Sequence, residues 1–302
     1  DLGLYSDAND AALGRVIAAI GRFSSMPIAV QLGHAGRKGS SQAPWDGGQQ
    51  IAPDAPGGWQ ALAPSALPHG AHEIPPHAMD KADLLALRQG FAEAARRAAR
   101  IGIRGIEIHA AHGYLLHQFL SPLANQRADE YGGSLENRMR IVLEIFEDVR
   151  AAFPPDLPVW VRISATDWVE GGWDVADAIT LSAALKARGC DAIHVSSGGV
   201  SSKQAIKLGP GYQVGFSKQI RDAVGIPTFA VGLITEAEQA EAILASGEAD
   251  AIAIARAILY DPHWPWHVAA KLGATVDAPK QYWRSQPRGV ANLFRDASFG
   301  QR

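Results

Sequence analysis

Short apolar runs alternate with amphipathic stretches along nearly the whole chain. The runs PIAVQL (27–32), IEIH (106–109), VWVRI (159–163), AIHVS (192–196), TFAV (228–231) and AIAI (251–254) have the length and residue types of buried strands. Between them the spacing changes to that of helices. Leu13, Val16, Ile17 and Ile20 mark one over 10–23, with Asp7 or Asn9 as its cap. Leu84, Leu87, Phe91 and Ala95 mark another, capped by Asp80 and stopped at Gly102. Further helices are predicted over 134–153, ending before Pro154-Pro155, and over 175–188, 215–224, 235–246 and 263–272.

Six strands alternating with helices imply a parallel sheet. No strand is followed by GxGxxG, which disfavours a dinucleotide-binding sheet. Units recurring every roughly 25–35 residues suit a single α/β domain over 1–302, a (βα)8 TIM-type barrel. Such a barrel needs eight strands, so the first one to two βα units are expected to be missing: the first strand, first helix and second strand. DLGLYSD does not read like the start of a domain, so the N-terminus is expected to be processed or the chain to be part of a longer protein. Two segments stand outside the repeat. Residues 36–79, rich in Pro, Gly, Ser and Ala but holding Trp45 and Trp59, read as a cap or binding loop. Residues 276–302 form a basic, aromatic tail without clear periodicity.

Composition narrows the function without choosing it. The net charge is −3 with no long basic run, so neither nucleic acid nor an anionic membrane is suggested as a partner. One cysteine, Cys190, excludes an intrachain disulfide and fits a reducing, cytoplasmic compartment. No apolar run approaches the roughly 18 residues of a membrane span.

The chemistry concentrates in GIEIHAAHGYLLHQFLSPLANQRADEYGG, from Gly105 onward. His109 and His112 lie three apart at the end of a predicted strand, and Tyr114 follows. In a parallel barrel this end of the strands carries the active site. A metal is one reading of the two histidines, but a zinc centre needs at least three protein ligands and this spacing supplies two. Core histidines satisfied by backbone are another. The favoured reading is a neutral pair donating to an anionic or carbonyl oxygen, with Tyr114 as proton donor or as packing. Arg162 sits inside an apolar strand, which calls for an acidic neighbour or an anionic ligand. Ser197-Gly198-Gly199, Val231-Gly232 and Ala255-Arg256 end successive strands, where barrels often bind phosphate through backbone N–H groups.

With these residues in place the chain resembles the Old Yellow Enzyme family of FMN-dependent ene-reductases, in particular the xenobiotic-reductase and thermophilic-like bacterial class. HAAHGYLLHQFLSPLANQRADEYGGSLENR (109–138) is the most specific stretch, supported by QLGHAGRK, VRIS, HVSSGG and AVGLIT. The resemblance implies FMN as cofactor, NADPH or NADH as reductant, and a small-molecule activated alkene as substrate. It places Gln31 on the pyrimidine edge of the flavin and Arg162 on its N1/O2 side. Ser197, Gly198, Val231, Gly232, Ala255 and Arg256 would line the phosphate site. His109 and His112 would hold the substrate oxygen, Tyr114 would donate the proton and Trp283 would wall the pocket. It further implies a homo-oligomer, dimer or tetramer, with Arg284 or Arg288 reaching a neighbour. Two departures stand out. Ala255 replaces the usual glycine before Arg256, and the family's first two strands, which carry a cysteine or threonine near N5 and a second tyrosine, match nothing here. The alternatives are an incomplete barrel that needs a missing segment to bind flavin, and a His-metal-dependent barrel hydrolase.

Overall fold

The computed structural model describes residues 2–298. In chain order its elements are α1 (Asp7–Gly21), β1 (Ala29–Leu32), β2 (Leu62–Ala63), β3 (His77–Ala78), α2 (Lys81–Arg100), β4 (Gly105–Ala110), α3 (Leu115–Leu120), α4 (Leu135–Ala152), β5 (Val159–Ser164), α5 (Val175–Lys186), β6 (Ile193–Ser196), α6 (Val214–Val224), β7 (Thr228–Ala230), α7 (Ala237–Ala245), β8 (Ala251–Ile252), α8 (Arg256–Tyr260) and α9 (Trp264–Leu272). The six predicted strands are present and form one parallel sheet in the order β1-β4-β5-β6-β7-β8. This is the α/β wall of a (βα)8-type barrel. The short parallel pair β2–β3 lies in the excursion.

Strand alternation sorts the residues of this wall into two faces. Ile106 and Ile108 register with Val159 and Val161, and Val161 and Ile163 with Ile193 and Val195. All are fully buried, in one core with Leu84, Phe91 and Ala95 of α2 and Ile141, Ile145 and Phe146 of α4. The alternate residues register separately: Gln31 with Glu107, Glu107 with Trp160, His109 with Arg162, Arg162 with His194, and His194 with Phe229. Barrel interiors are usually filled by branched aliphatic side chains. Here that face carries a carboxylate, a guanidinium, two imidazoles and an indole.

The helix caps follow the expected chemistry. Asp80 accepts from Ala82 and Asp83 while the Asp83 side chain accepts from Asp80 N–H, a reciprocal capping box. Ser134 caps α4 and Asp174 caps α5.

The structure departs from the sequence reading in four places. Ser6, rather than Asp7 or Asn9, caps α1. Residues 115–120, for which no element is predicted, form α3, whose every residue is buried. A helix with no exposed face has no polar–apolar period to betray it. β8 keeps two residues and, among the described residues, pairs with β7 alone. The chain after it turns directly into α8, which was not expected. No helix is long and apolar enough to cross a membrane among the described residues.

Candidate functional site

The strand end of β4 delivers His109 into the barrel mouth, and the turn that follows returns two more rings to it. The His109 ring lies 5.1 Å from His112 and 5.2 Å from Tyr114, centroid to centroid. His112 takes the left-handed conformation at φ 57°, which costs a non-glycine residue roughly 1–2 kcal/mol. Three neighbours hold it there. Ser164 Oγ at the end of β5 accepts from His112 N–H at 2.9 Å, and Lys38 Nζ donates to His112 O at 2.9 Å. Gly113 then packs backbone to backbone on Gly199, where a Cβ would stand 2.1 Å from a carbonyl oxygen. No other residue fits at 113 without moving one of the two loops.

The electrostatics of the three rings differ. Neither ring nitrogen of His109 has a hydrogen-bond partner among the described residues, although both are buried. His112 Nε2 lies 2.7 Å from Ser196 Oγ. Burial first, then the positive charge of Arg162, lowers His109 to about 4 and His112 to about 2. Both imidazoles are neutral at pH 7.

Arg162 lies in register between His109 and His194. Burial lowers its pKa, Glu107 opposes that, and its Nε is buried without a partner. Glu107 itself is fully engaged. Trp160 Nε1 and His194 Nδ1 donate to Oε2, each at 2.6 Å, and Gln31 Nε2 donates to Oε1. Burial pushes this carboxyl up, but the hydrogen bonds and the charge of His194, with Gln31 and Trp160, outweigh it and hold it at about 2.

The predicted phosphate residues stand at the adjoining ends of β6, β7 and β8. Gln213 ties two of these ends together: its Oε1 accepts from Ser197 Oγ at 2.5 Å, and its Nε2 donates to Val231 O at 3.0 Å. Gly232 adopts φ 126°, and a Cβ there would stand 2.8 Å from Gln213 Nε2. Gly198 N–H is occupied by Thr166 O at 2.8 Å. Ala255 and Arg256 are exposed at the start of α8. Trp283 packs in the tail's own cluster with Trp266, Leu293 and Phe294.

Two functional groups were missed by the sequence reading. Lys38 donates to Gly199 O as well as His112 O and sits 5.7 Å over the Tyr114 ring. Burial, then the neighbouring Arg37, lowers it to about 8. The other is a buried set behind the turn. His117 Nδ1 accepts from Gly113 N–H at 2.8 Å, while Nε2 faces Asp167 Oδ1 at 2.9 Å, off the axis of a straight hydrogen bond. Asp167 Oδ2 accepts from Ser121 Oγ at 2.6 Å and Trp173 N–H at 2.8 Å. Among the described residues no group of three or more His, Cys, Asp or Glu is placed to hold a metal ion.

The parallel α/β barrel wall thus brings neutral imidazoles, a phenol and a buried guanidinium together at its strand ends, a set of groups able to donate hydrogen bonds to an acceptor-bearing organic ligand. The chain belongs to the NADH:flavin oxidoreductase / NADH oxidase family, whose profile matches residues 1–274, and its chemistry is FMN-dependent oxidoreduction with NAD(P)H as reductant. It is 42% identical over 284 residues to an NADPH dehydrogenase of Geobacillus thermodenitrificans, covering 94% of this chain and 78% of that one. Morphinone reductase in complex with tetrahydroNAD superposes with a TM-score of 0.70 at 28% identity, over 99% of this chain and 80% of its own. The Old Yellow Enzyme homologue from Zymomonas mobilis does so with a TM-score of 0.70 at 26% identity, over 99% of this chain and 81% of its own. The resemblance read from the motifs and the barrel expectation are therefore both borne out.

The residues present fit the cofactor. A flavin's pyrimidine edge offers carbonyl acceptors and a negative charge on reduction, and Arg162 carries a buried Nε–H with no partner among the described residues. Gln31 adds an amide oxygen that takes no hydrogen bond from a described residue.

Proposed function

We propose that this protein reduces activated C=C bonds in enones, enals and nitroalkenes. The observation that carries this is His109, whose two ring nitrogens are buried and without a partner among the described residues, and whose ring centroid lies 5.1 Å from that of His112 and 5.2 Å from that of Tyr114. Bound FMN, reduced by NAD(P)H, supplies hydride to the electron-poor carbon of the alkene.

His109 and His112 bind the carbonyl or nitro oxygen of the substrate. A neutral imidazole N–H aimed at an oxygen that gains negative charge lowers the barrier without a proton transfer. For His112 to donate from Nδ1, Ser196 Oγ–H must donate to its Nε2 across their 2.7 Å contact. Lys38, over the Tyr114 ring, adds positive potential on the same side. Tyr114 then gives its proton to the α-carbon.

For the cofactor, Gln31 and Arg162 would hold the pyrimidine edge of the flavin. Ser197, Gly198, Val231, Gly232, Ala255 and Arg256 line the ribityl-phosphate end, with Arg256 as the free guanidinium. Trp283 forms part of the pocket wall. A visible spectrum of the purified protein, followed by anaerobic NADPH and then cyclohexenone, tests the proposal. A flavin band that bleaches and then recovers is expected. A band that bleaches and recovers only with oxygen would overturn the alkene assignment.

A further inference from the structure

Glu107 is a buried carboxylate that the mechanism above does not use, and its hydrogen bonds have a fixed polarity. A carboxylate only accepts, and an indole N–H only donates. Trp160 Nε1 and His194 Nδ1 both point at Oε2, and the third contact, at Oε1, is the Gln31 side chain. Gln31 must therefore turn its NH2 towards Glu107 and its carbonyl oxygen away. That choice is normally invisible in an amide, whose O and N are nearly isosteric. Here the carboxylate decides it. The register places Gln31 beside Glu107 on the inner face of the wall, and Gln31 is exposed there while Glu107 is buried.

We infer that Glu107 is a positioning residue that locks the Gln31 amide with its oxygen free, so that position 31 offers the bound ring a hydrogen-bond acceptor. The matching group on a flavin is N3–H, the single donor between two carbonyls on the pyrimidine edge. This rests on the cofactor-site reading above, in which Gln31 faces that edge.

The Glu107→Gln substitution makes the inference sharp. Trp160, whose indole N–H can only donate, occupies the Oε2 side together with His194 Nδ1, so the new carbonyl oxygen must stay there. Its NH2 then takes the place of Oε1 and requires an acceptor from Gln31. The Gln31 amide reverses, and an NH2 now meets N3–H donor to donor. Combining Glu107→Gln with Gln31→Glu restores the pattern. The amide at 107 donates to one carboxylate oxygen at 31 and leaves the other free as an acceptor.

The test uses apoprotein and two probes, FMN and 3-methyl-FMN, which lacks N3–H, with dissociation constants from quenching of flavin fluorescence. Wild type is expected to prefer FMN by about ten-fold, equivalent to about 1.4 kcal/mol. Glu107→Gln is expected to bind FMN about ten-fold more weakly and to lose the preference. The exchange variant is expected to regain it, which a general loss of structure at 107 would not allow. If Glu107→Gln does not fold, the exchange variant decides by its preference alone. A wild-type preference kept unchanged in Glu107→Gln, or absent from the exchange variant, would overturn the inference while leaving the cofactor site standing. Equal binding of both probes by wild type would show that position 31 does not meet N3, and would remove the site reading together with the inference.

Discussion

His109 and His117 stand on the same strand–turn–helix unit, and both are buried, at 4% and 0% exposure. Their surroundings are opposite. His117 faces a partner with each ring nitrogen, Gly113 N–H on one side and Asp167 on the other. His109 faces none with either. A buried polar atom without a hydrogen bond costs roughly 1–3 kcal/mol, so a fold tolerates it only where something else uses it. His117 spends its one hydrogen bond, accepted from Gly113 N–H, on holding the turn that carries His112 and Tyr114, and keeps the Asp167 carboxylate against its other nitrogen. His109 keeps its own for a ligand. The residue type is the same; the partner list separates the scaffold from the site.

That contrast can be broken or sharpened by substitution. The largest effect is expected at the proton donor, because Tyr114 acts in the reduction of the alkene and has no part in the reduction of the flavin. Tyr114→Phe should slow reoxidation by cyclohexenone about 10²–10⁴-fold, the usual range for a general acid, while flavin reduction by NADPH stays within about two-fold. Stopped-flow traces of the two half-reactions give both numbers, and equal slowing of both would sink the assignment. Next comes the scaffold. Asp167→Ala strips partners from Ser121, Trp173 N–H and His117, and should cost about 3–5 kcal/mol in urea unfolding. A loss under 1 kcal/mol would show that His117 does not depend on it.

Smaller effects are expected at His109. His109→Phe removes two unmet hydrogen-bonding atoms and should raise the stability of the flavin-free protein by about 1 kcal/mol, whereas a destabilisation would mean the imidazole has a structural partner. The pH dependence follows from the lowered pKa values. Between about 6.5, the unfolded value, and about 4, the unfolded chain binds a proton at His109 that the folded chain does not. Stability is therefore lost as the pH falls through this window, by about 1.4 kcal/mol per pH unit for each such histidine. Unfolding curves at successive pH values should show His109→Phe losing about one proton's worth of that slope. An unchanged slope would contradict the burial account.

The alternation of strands and helices was legible because it is a local pattern, and each strand's apolar face is written within a few residues. The ring cluster was legible for the same reason: His109, His112 and Tyr114 fall within one short segment at a predicted strand end. Glu107 was not. Its partners Gln31, Trp160 and His194 lie on three other strands, and only the sheet register joins them. The argument applied to Arg162, a charge inside an apolar strand needing a partner, holds equally for Glu107 and was the available signal. Lys38 follows Arg37 in a polar segment, where two adjacent cations read as solvated. Its role depends on loops from β4 and β6 closing over it. Asp167 and His117 meet across different βα units, which no spacing rule reports.

The central claim is that the unpartnered imidazole of His109 is the ligand site, and phenol binding tests it most directly. A phenolate oxygen stands in for the enolate oxygen of the reacting substrate, and its ring over oxidised flavin gives a long-wavelength charge-transfer band. Titrating the FMN-loaded protein with a phenol should produce that band in wild type. In His109→Phe the affinity should fall at least about ten-fold, a loss of about 1.4 kcal/mol, with FMN still bound. Equal affinity in the two proteins would contradict the account, because His109 would then be one more buried histidine and not the site.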